Sequence, residues 1–195
     1  MMSSDSKSSR DRILDAALDL LENKGEKPVR MSDIAKAAGL SRQAVYLNFP
    51  NRAELLIAAT RHLDSRADVD IRLAASRAAT SGTERLRLWV AAWGDYIPVI
   101  HGVSRAILAM KDTDPEAEAA WDDRMAAMRD GCAAAVAALQ ADGHLARDLS
   151  ETQATDLLWS LLSVRMWQHL CLDCGWSQAA YLAEMQVLAA RRLIA

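Results

Sequence analysis

Ser41, Arg42 and Gln43, followed one helical turn later by Leu47, are the residues of this chain best suited to chemistry with a nucleic acid. An arginine fork can bridge guanine O6 and N7, a glutamine amide can bridge adenine N6 and N7, and Leu47 or Ala44 can touch a thymine methyl. A second cluster holds His169, Cys171 and Cys174, the last two in the C-x-x-C spacing of "CLDC" that occurs in redox and zinc sites. Zinc needs four ligands and no second C-x-x-C is present, so no metal site is expected, and a thiol- or metal-responsive regulator stands as an alternative. No Gly-rich phosphate loop, H-E-x-x-H or placed Ser-His-Asp pattern occurs, and Asp122-Asp123 reads as an exposed acidic turn. The residues point away from an enzyme, and no cofactor is expected.

Arg42 and Gln43 need a scaffold that presents them. In "MSDIAKAAGLSRQAVYLNF", Ile34, Ala35 and Ala38 form the inner face of a two-turn helix. Gly39 can take the left-handed conformation that ends it, Leu40 plugs the turn, and Ser41 can cap the helix that follows. That is a helix-turn-helix, whose second helix enters the major groove with its first residues at the base edges. Phe49, the only phenylalanine, is expected to lock these small helices as a core plug.

The rest of the chain reads as helix. Apolar residues recur at three and four, Ala, Leu, Met, Arg and Glu dominate, and runs of alternating β-branched residues are missing. The expected class is all-α, with helices near 10–23, 32–38, 42–48, 52–77, 82–97, 99–110, 115–141, 151–172 and 177–193. Capping chemistry marks several starts: Asn51 with Glu54, Ser81 with Glu84, Ser150 with Gln153, and Asp114 before Pro115. Gly25 and Pro28 are expected to stop the first helix. With 195 residues, 51% of them hydrophobic, the chain can bury a real core.

Charge is unevenly placed. Residues 1–66 hold 11 Lys+Arg against 9 Asp+Glu, whereas the remainder holds 12 against 17, so only the first third suits a polyanion. The polar start "MMSSDSKSSR" has no apolar core of a signal peptide, and the longest uncharged run, Gly131 to Ala141, is too short to span a bilayer. Three cysteines without an export signal suit reduced thiols, and the expected location is the cytoplasm.

Three linked segments resemble the TetR family of bacterial transcription regulators: "R-x-x-I-L-x-A-A" at Arg10 to Ala17, "D-I-A-x-x-A-G-(V/L)-S" at Asp33 to Ser41, and "Y-x-x-F-x-(S/N)-(K/R)-x-x-L" at Tyr46 to Leu55. The match covers about residues 10–60. The resemblance implies that Tyr46 offers its hydroxyl to a phosphate, that Asn48 stands where the family often has His or Tyr, and that Arg52 replaces a Lys near the DNA backbone. One departure is Arg30, where the family commonly places Thr as a cap; Ser32 could take over one of its hydrogen bonds. The expected organisation is a flexible stretch 1–9, a DNA-binding domain 10–53 and a ligand-binding and dimerisation domain 54–195.

Aromatic and methionine stripes run through the acidic remainder. Trp89, Trp93 and Tyr96 share one helix face, Trp121, Met125, Met128 and Cys132 another, and Trp159, Ser163, Met166 and Leu170 a third. Plain packing explains such stripes. With His101, Arg105 and Arg165 nearby they also suit a pocket for a mostly apolar small molecule, and the resemblance implies a pocket in this region. Leu158 and Leu162 on the helix from Ser150, with Tyr181, Met185 and Leu188 on the last helix, form the expected dimer surface. The family pairs two such helices from each subunit, and a twofold homodimer implies a palindromic operator on double-stranded DNA. The sequence therefore points to a ligand-released repressor, with a helical adaptor carrying a vestigial helix-turn-helix as a further alternative.

Overall fold

The computed structural model describes residues 7–24 and 28–195. In chain order the helices are α1 (Ser9–Lys24), α2 (Met31–Ala38), α3 (Arg42–Asn48), α4 (Arg52–Arg66), α5 (Val69–Ala78), α6 (Gly82–Met110), α7 (Pro115–Ala141), α8 (Glu151–Leu161), α9 (Val164–Trp167) and α10 (Gln178–Leu193). A π-helical turn, Gln168–Asp173, continues α9. The described residues contain no strand, only an isolated bridge between Leu145 and Ile194. None of the described helices is long and apolar enough to cross a membrane. The all-α reading is correct. The expected stop at Gly25 and most of the expected flexible stretch 1–9 lie outside the described residues.

The chain divides into two compact units. The first comprises residues up to Arg66 together with Gly102–Arg124; the second comprises Ala67–His101 and Met125–Ala195. The first unit therefore runs past the boundary expected at residue 53, because α4 and parts of α6 and α7 bury their apolar faces within it. Its core joins Ile13, Ala17 and Leu21 of α1 to Ile34 of α2, Val45 of α3, Leu55 and Leu56 of α4, and Val103, Ile107 and Met110 of α6. Each Val, Leu, Ile or Met side chain among these contributes roughly 1.5–3 kcal/mol on leaving water. α4 is also tied to α1 by charge: Asp15 accepts hydrogen bonds from Lys7 (2.6 Å), His62 Nε2 (3.0 Å) and Arg66 (3.0 Å).

The expected caps are present. Ser150 and Gln153 form a reciprocal capping box, Asn51 Oδ1 accepts from the Glu54 N–H at 2.8 Å, and Asp114 Oδ1 accepts from the N–H groups of Glu116 and Ala117.

Three helix boundaries differ from the sequence reading, each for a local reason. The expected helix 52–77 breaks at Asp68, whose φ of 52° lies in the left-handed region that aspartate tolerates better than most residues. The helices expected on either side of Pro98 are one, α6. Proline removes an N–H and leaves the carbonyl four residues back without its partner. Here that carbonyl belongs to Gly94, and it accepts instead from Gln178 Nε2 at 3.0 Å. The expected helix 151–172 breaks at Leu162, where Ser163 caps α9 through the Met166 N–H and the Leu162 carbonyl accepts from Trp93 Nε1 at 3.1 Å.

Candidate nucleic-acid interface and the aromatic unit

In the first unit, α3 is held from behind and bare in front. Gly39 adopts φ 64°, and the backbone N–H of Leu40 returns to the Ala35 carbonyl at 2.9 Å. Arg12 seals the turn by donating to the Ala38 carbonyl at 2.6 Å. Ser41 then caps α3, its hydroxyl accepting from the Ala44 N–H at 3.1 Å. Val45 and Phe49 are buried, and the Arg10 guanidinium lies 4.4 Å over the Phe49 ring, so Phe49 is the plug expected of it.

The opposite face carries Arg42, Gln43, Tyr46 and Leu47, all exposed, with Leu47 at 80%. The Arg42 guanidinium sits 5.6 Å from the centre of the Tyr46 ring, a cation–π contact that orients the fork. Beside this face opens a concavity of about 600 Å³ whose lining includes Arg30, Ser32, Arg42, Tyr46, Asn51 and Arg52. Arg30 is the N-cap of α2 and makes no side-chain cap. Basic and hydroxyl groups on this rim, together with the helix dipole, suit an anion, offset in part by Asp33 in the first turn of α2 and Glu116 on the lining.

Other expected contacts are otherwise engaged. Arg52, expected at the DNA backbone, is turned inward: its Nε donates to the Val29 carbonyl at 2.5 Å, and its Nη atoms donate to Asp114 at 3.0 and 2.6 Å and to Glu116 at 3.1 Å. Burial would lower the Arg52 pKa, but the hydrogen bonds and charge of Asp114, then of Glu116, hold it above its ordinary value. The same hydrogen bonds hold the Asp114 carboxyl below the usual carboxylate range despite desolvation. Asn48 donates back to the Ala44 carbonyl at 2.9 Å, which finishes α3 rather than reaching outward, and Ala44 is half-buried. The Ser41 hydroxyl is spent as the cap. Arg10 and Arg12, which brace Phe49 and the turn, are scaffold residues that the sequence reading did not single out; their signal is a pair of arginines in the opening turn of α1.

In the second unit, Trp89 and Trp93 stack at 5.8 Å, and Trp93 meets Tyr96 edge to face at 5.7 Å. Trp93 and Tyr96 also line a crevice with Val69, Arg72, Leu73 and Ala92, but it is closed to a water-sized molecule, far from the few hundred Å³ usual for a drug-sized ligand. His101 leans on Trp167 at 4.9 Å, and its Nε2 is 3.4 Å from Gln168 Oε1. Met128 and Cys132 are buried, and Met125 and Trp159 half-buried. Burial pushes the Cys132 thiol up to about 12. The Tyr181 hydroxyl is buried without a hydrogen-bond partner, a condition native interiors seldom leave unanswered, whereas the Trp89 indole N–H faces the Cys132 sulfur and works against the upward push of burial on that thiol.

Two groups of expected residues need correction here. Trp121 packs against the core of the first unit, and Met166 lies at the surface at 36% exposure, so neither joins the Trp89–Trp93–Tyr96 cluster. Leu158, Leu162, Tyr181 and Met185, expected at a dimer surface, are at most 1% exposed within their own unit. Periodicity finds an apolar face but not what covers it: α8 and α10 turn those faces inward. Of the expected set only Leu188 is exposed, alongside Leu157 and Val187. Among the described residues no group of three or more His, Cys, Asp or Glu side chains could hold a metal, so the metal-responsive alternative built on His169, Cys171 and Cys174 finds no support.

The six-membered ring of Trp89 reaches Gly131 of α7, where an added Cβ would meet the indole at 2.0 Å. Gly131→Ala should gain about 1 kcal/mol of helix propensity and lose more, about 1–3 kcal/mol, to overpacking against a rigid ring. A lowered urea midpoint is the expected result; a raised one would mean that the ring moves aside freely.

The sequence model of the family described as bacterial regulatory proteins, tetR family, matches residues 13–59. The chain is 46% identical over 46 residues to the HTH-type transcriptional regulator AlkX of Mycobacterium tuberculosis, covering 24% of this chain and 22% of that protein. It is 28% identical over 116 residues to the HTH-type transcriptional regulator EthR of the same species, covering 58% of this chain and 53% of that one. The matched region thus spans about a fifth of the first relative and about half of the second. In fold, the chain is similar to the fatty acid degradation regulator FadR from Bacillus halodurans, with a TM-score of 0.74 and 21% identity over 95% of this chain and 96% of that one.

Proposed function

We propose, from the match of residues 13–59 to the sequence model of bacterial regulatory proteins, tetR family, that this chain is a member of that family and a homodimeric, ligand-responsive repressor of transcription that reads a palindromic operator. The carrying observation is the outward face of α3, where Arg42, Gln43, Tyr46 and Leu47 stand exposed beside the basic concavity at the start of α2. Arg42 and Gln43 read base edges, Leu47 meets a thymine methyl, and Ser32, Arg30 and Tyr46 hold phosphates. The protein acts in the cytoplasm, catalyses no reaction and needs no cofactor.

Dimerisation uses the outer faces of α8 and α10, where Leu157, Val187 and Leu188 are left exposed. The effector occupies the aromatic unit. Its body is mostly apolar, to lie against Trp89, Trp93 and Tyr96, and it carries a hydrogen-bond acceptor for the unpartnered Tyr181 hydroxyl. α6 and α7 each carry residues of both units, which gives an effector continuous helices through which to act. A ligand that prefers the DNA-incompetent conformation lowers operator affinity by the ratio of its two affinities, typically worth ~1–3 kcal/mol.

Selection of random duplex DNA by the purified protein tests the proposal. Enrichment of a palindrome with half-sites about one helical turn apart is the expected result. Failure to enrich any sequence, by protein shown to be folded, would favour the adaptor reading.

A further inference from the structure

Apart from both sites, the π-helical turn Gln168–Asp173 gathers a thiol, an imidazole and a carboxylate. Residues five apart stand about 140° from each other around an α-helix. A π turn is wider and closes on the fifth residue, as the Cys174 N–H does on the His169 carbonyl at 2.9 Å, so positions 169 and 174 come nearly into line. His169 Nδ1 is 3.3 Å from Asp173 Oδ2, and His169 Nε2 is 3.9 Å from Cys174 Sγ. With Nδ1–H donating to the carboxylate, Nε2 keeps its lone pair toward the sulfur. Such turns concentrate at functional sites, and no residue of this turn takes part in the proposed DNA contacts.

The three cysteines are placed differently. Cys174 is exposed, Cys171 half-buried with its thiol pushed up by burial, and Cys132 buried. Exposed Leu172 and Trp176 flank the Cys174 thiol in sequence, an apolar setting better suited to a carbon electrophile than to a small polar oxidant.

We propose that Cys174 is a histidine-assisted nucleophilic thiol that captures carbon electrophiles of the α,β-unsaturated carbonyl class. The Sγ proton passes to His169 Nε2, and a sulfur electron pair forms a bond to the β-carbon. The C=C pair shifts through the α-carbon onto the carbonyl oxygen as an enolate, and the α-carbon then takes the proton back from His169. The product is a thioether, nothing is oxidised or reduced, and Asp173 keeps its charge while fixing the imidazole tautomer.

The test follows the three cysteines of the full chain by peptide mass spectrometry during timed exposure to limiting N-ethylmaleimide from pH 5.5 to 9. Cys174 is expected to react about ten-fold faster than Cys171 at pH 7, with a shallower dependence on pH than Cys171 shows. His169→Asn should slow Cys174 about ten-fold at pH 7 and make its rate rise as steeply with pH as that of an unassisted thiol, and Asp173→Asn should fall between. Cys132 staying unmodified checks that each variant is folded. An unchanged Cys174 rate and pH profile in His169→Asn, with Cys132 still protected, would overturn the proposal. So would a Cys171–Cys174 disulfide formed under hydrogen peroxide faster than the adduct forms under an equal concentration of N-ethylmaleimide.

Discussion

Replacing Arg42 and Gln43 together with alanine is expected to lower affinity for the selected operator about 1,000-fold while leaving the fold intact. Both side chains are exposed on α3, and neither closes a cap or fills the core, so their loss costs the fold little. A good bidentate pair is worth roughly 1–3 kcal/mol of discrimination, so removing both from each recognition helix should cost about 2 kcal/mol per half-site and about 4 kcal/mol for a dimer on a palindrome. With phosphates held by Arg30, Ser32 and Tyr46 as proposed, binding to unrelated DNA should fall far less. Titrations of operator and scrambled duplexes at two salt concentrations separate the terms. Equal losses on both duplexes would show that Arg42 serves as one more phosphate contact and that bases are read elsewhere.

The helix-turn-helix was legible in the sequence because its determinants are local. Gly39 needs only its own backbone to take φ 64°, Ser41 caps through an N–H three residues on, and Val45 and Phe49 face inward by helical period. What failed depended on partners far along the chain. Pro98 marks a helix break unless something answers the Gly94 carbonyl, and Gln178 lies 84 residues away. The split at Leu162 rests on Trp93, 69 residues back. The inward faces of α8 and α10 were read as a dimer surface because period reveals amphipathicity without naming the partner; Tyr181 and Met185 bury themselves in their own unit. Asp68 shows a further limit, since a single aspartate in the left-handed region gives no pattern to read.

Arg52 is the sharpest case, because the two readings of it predict opposite experiments. As a phosphate contact it would be dispensable for folding, and Arg52→Ala would weaken all DNA binding while reducing the salt dependence by about one phosphate. The structure instead makes it a tie among three segments: the Val29 carbonyl before α2, its own place at the start of α4, and Asp114 with Glu116 at the start of α7. Removing one partner of a well-buried pair costs about 3–5 kcal/mol; side-chain exposures of 12% for Arg52 and 17% for Asp114 leave some solvent screening, so about 2 kcal/mol is expected. Asp114→Asn isolates the charge, because an amide oxygen still caps α7. The Asp114 pKa is lowered in the folded protein, so its contribution is complete well above the unfolded value of ~3.9 and disappears as pH falls through the lower folded value. Acid unfolding should therefore be steeper in the wild type than in Asp114→Asn, with the two converging in stability at low pH. Urea midpoints measured from pH 2.5 to 7 decide it. A variant as stable as the wild type at pH 7, yet poorer at binding DNA, would return Arg52 to the DNA backbone. Loss of stability, with DNA affinity kept in the fraction that remains folded, would make this tie the link by which the start of α7 holds the DNA-reading helices in place.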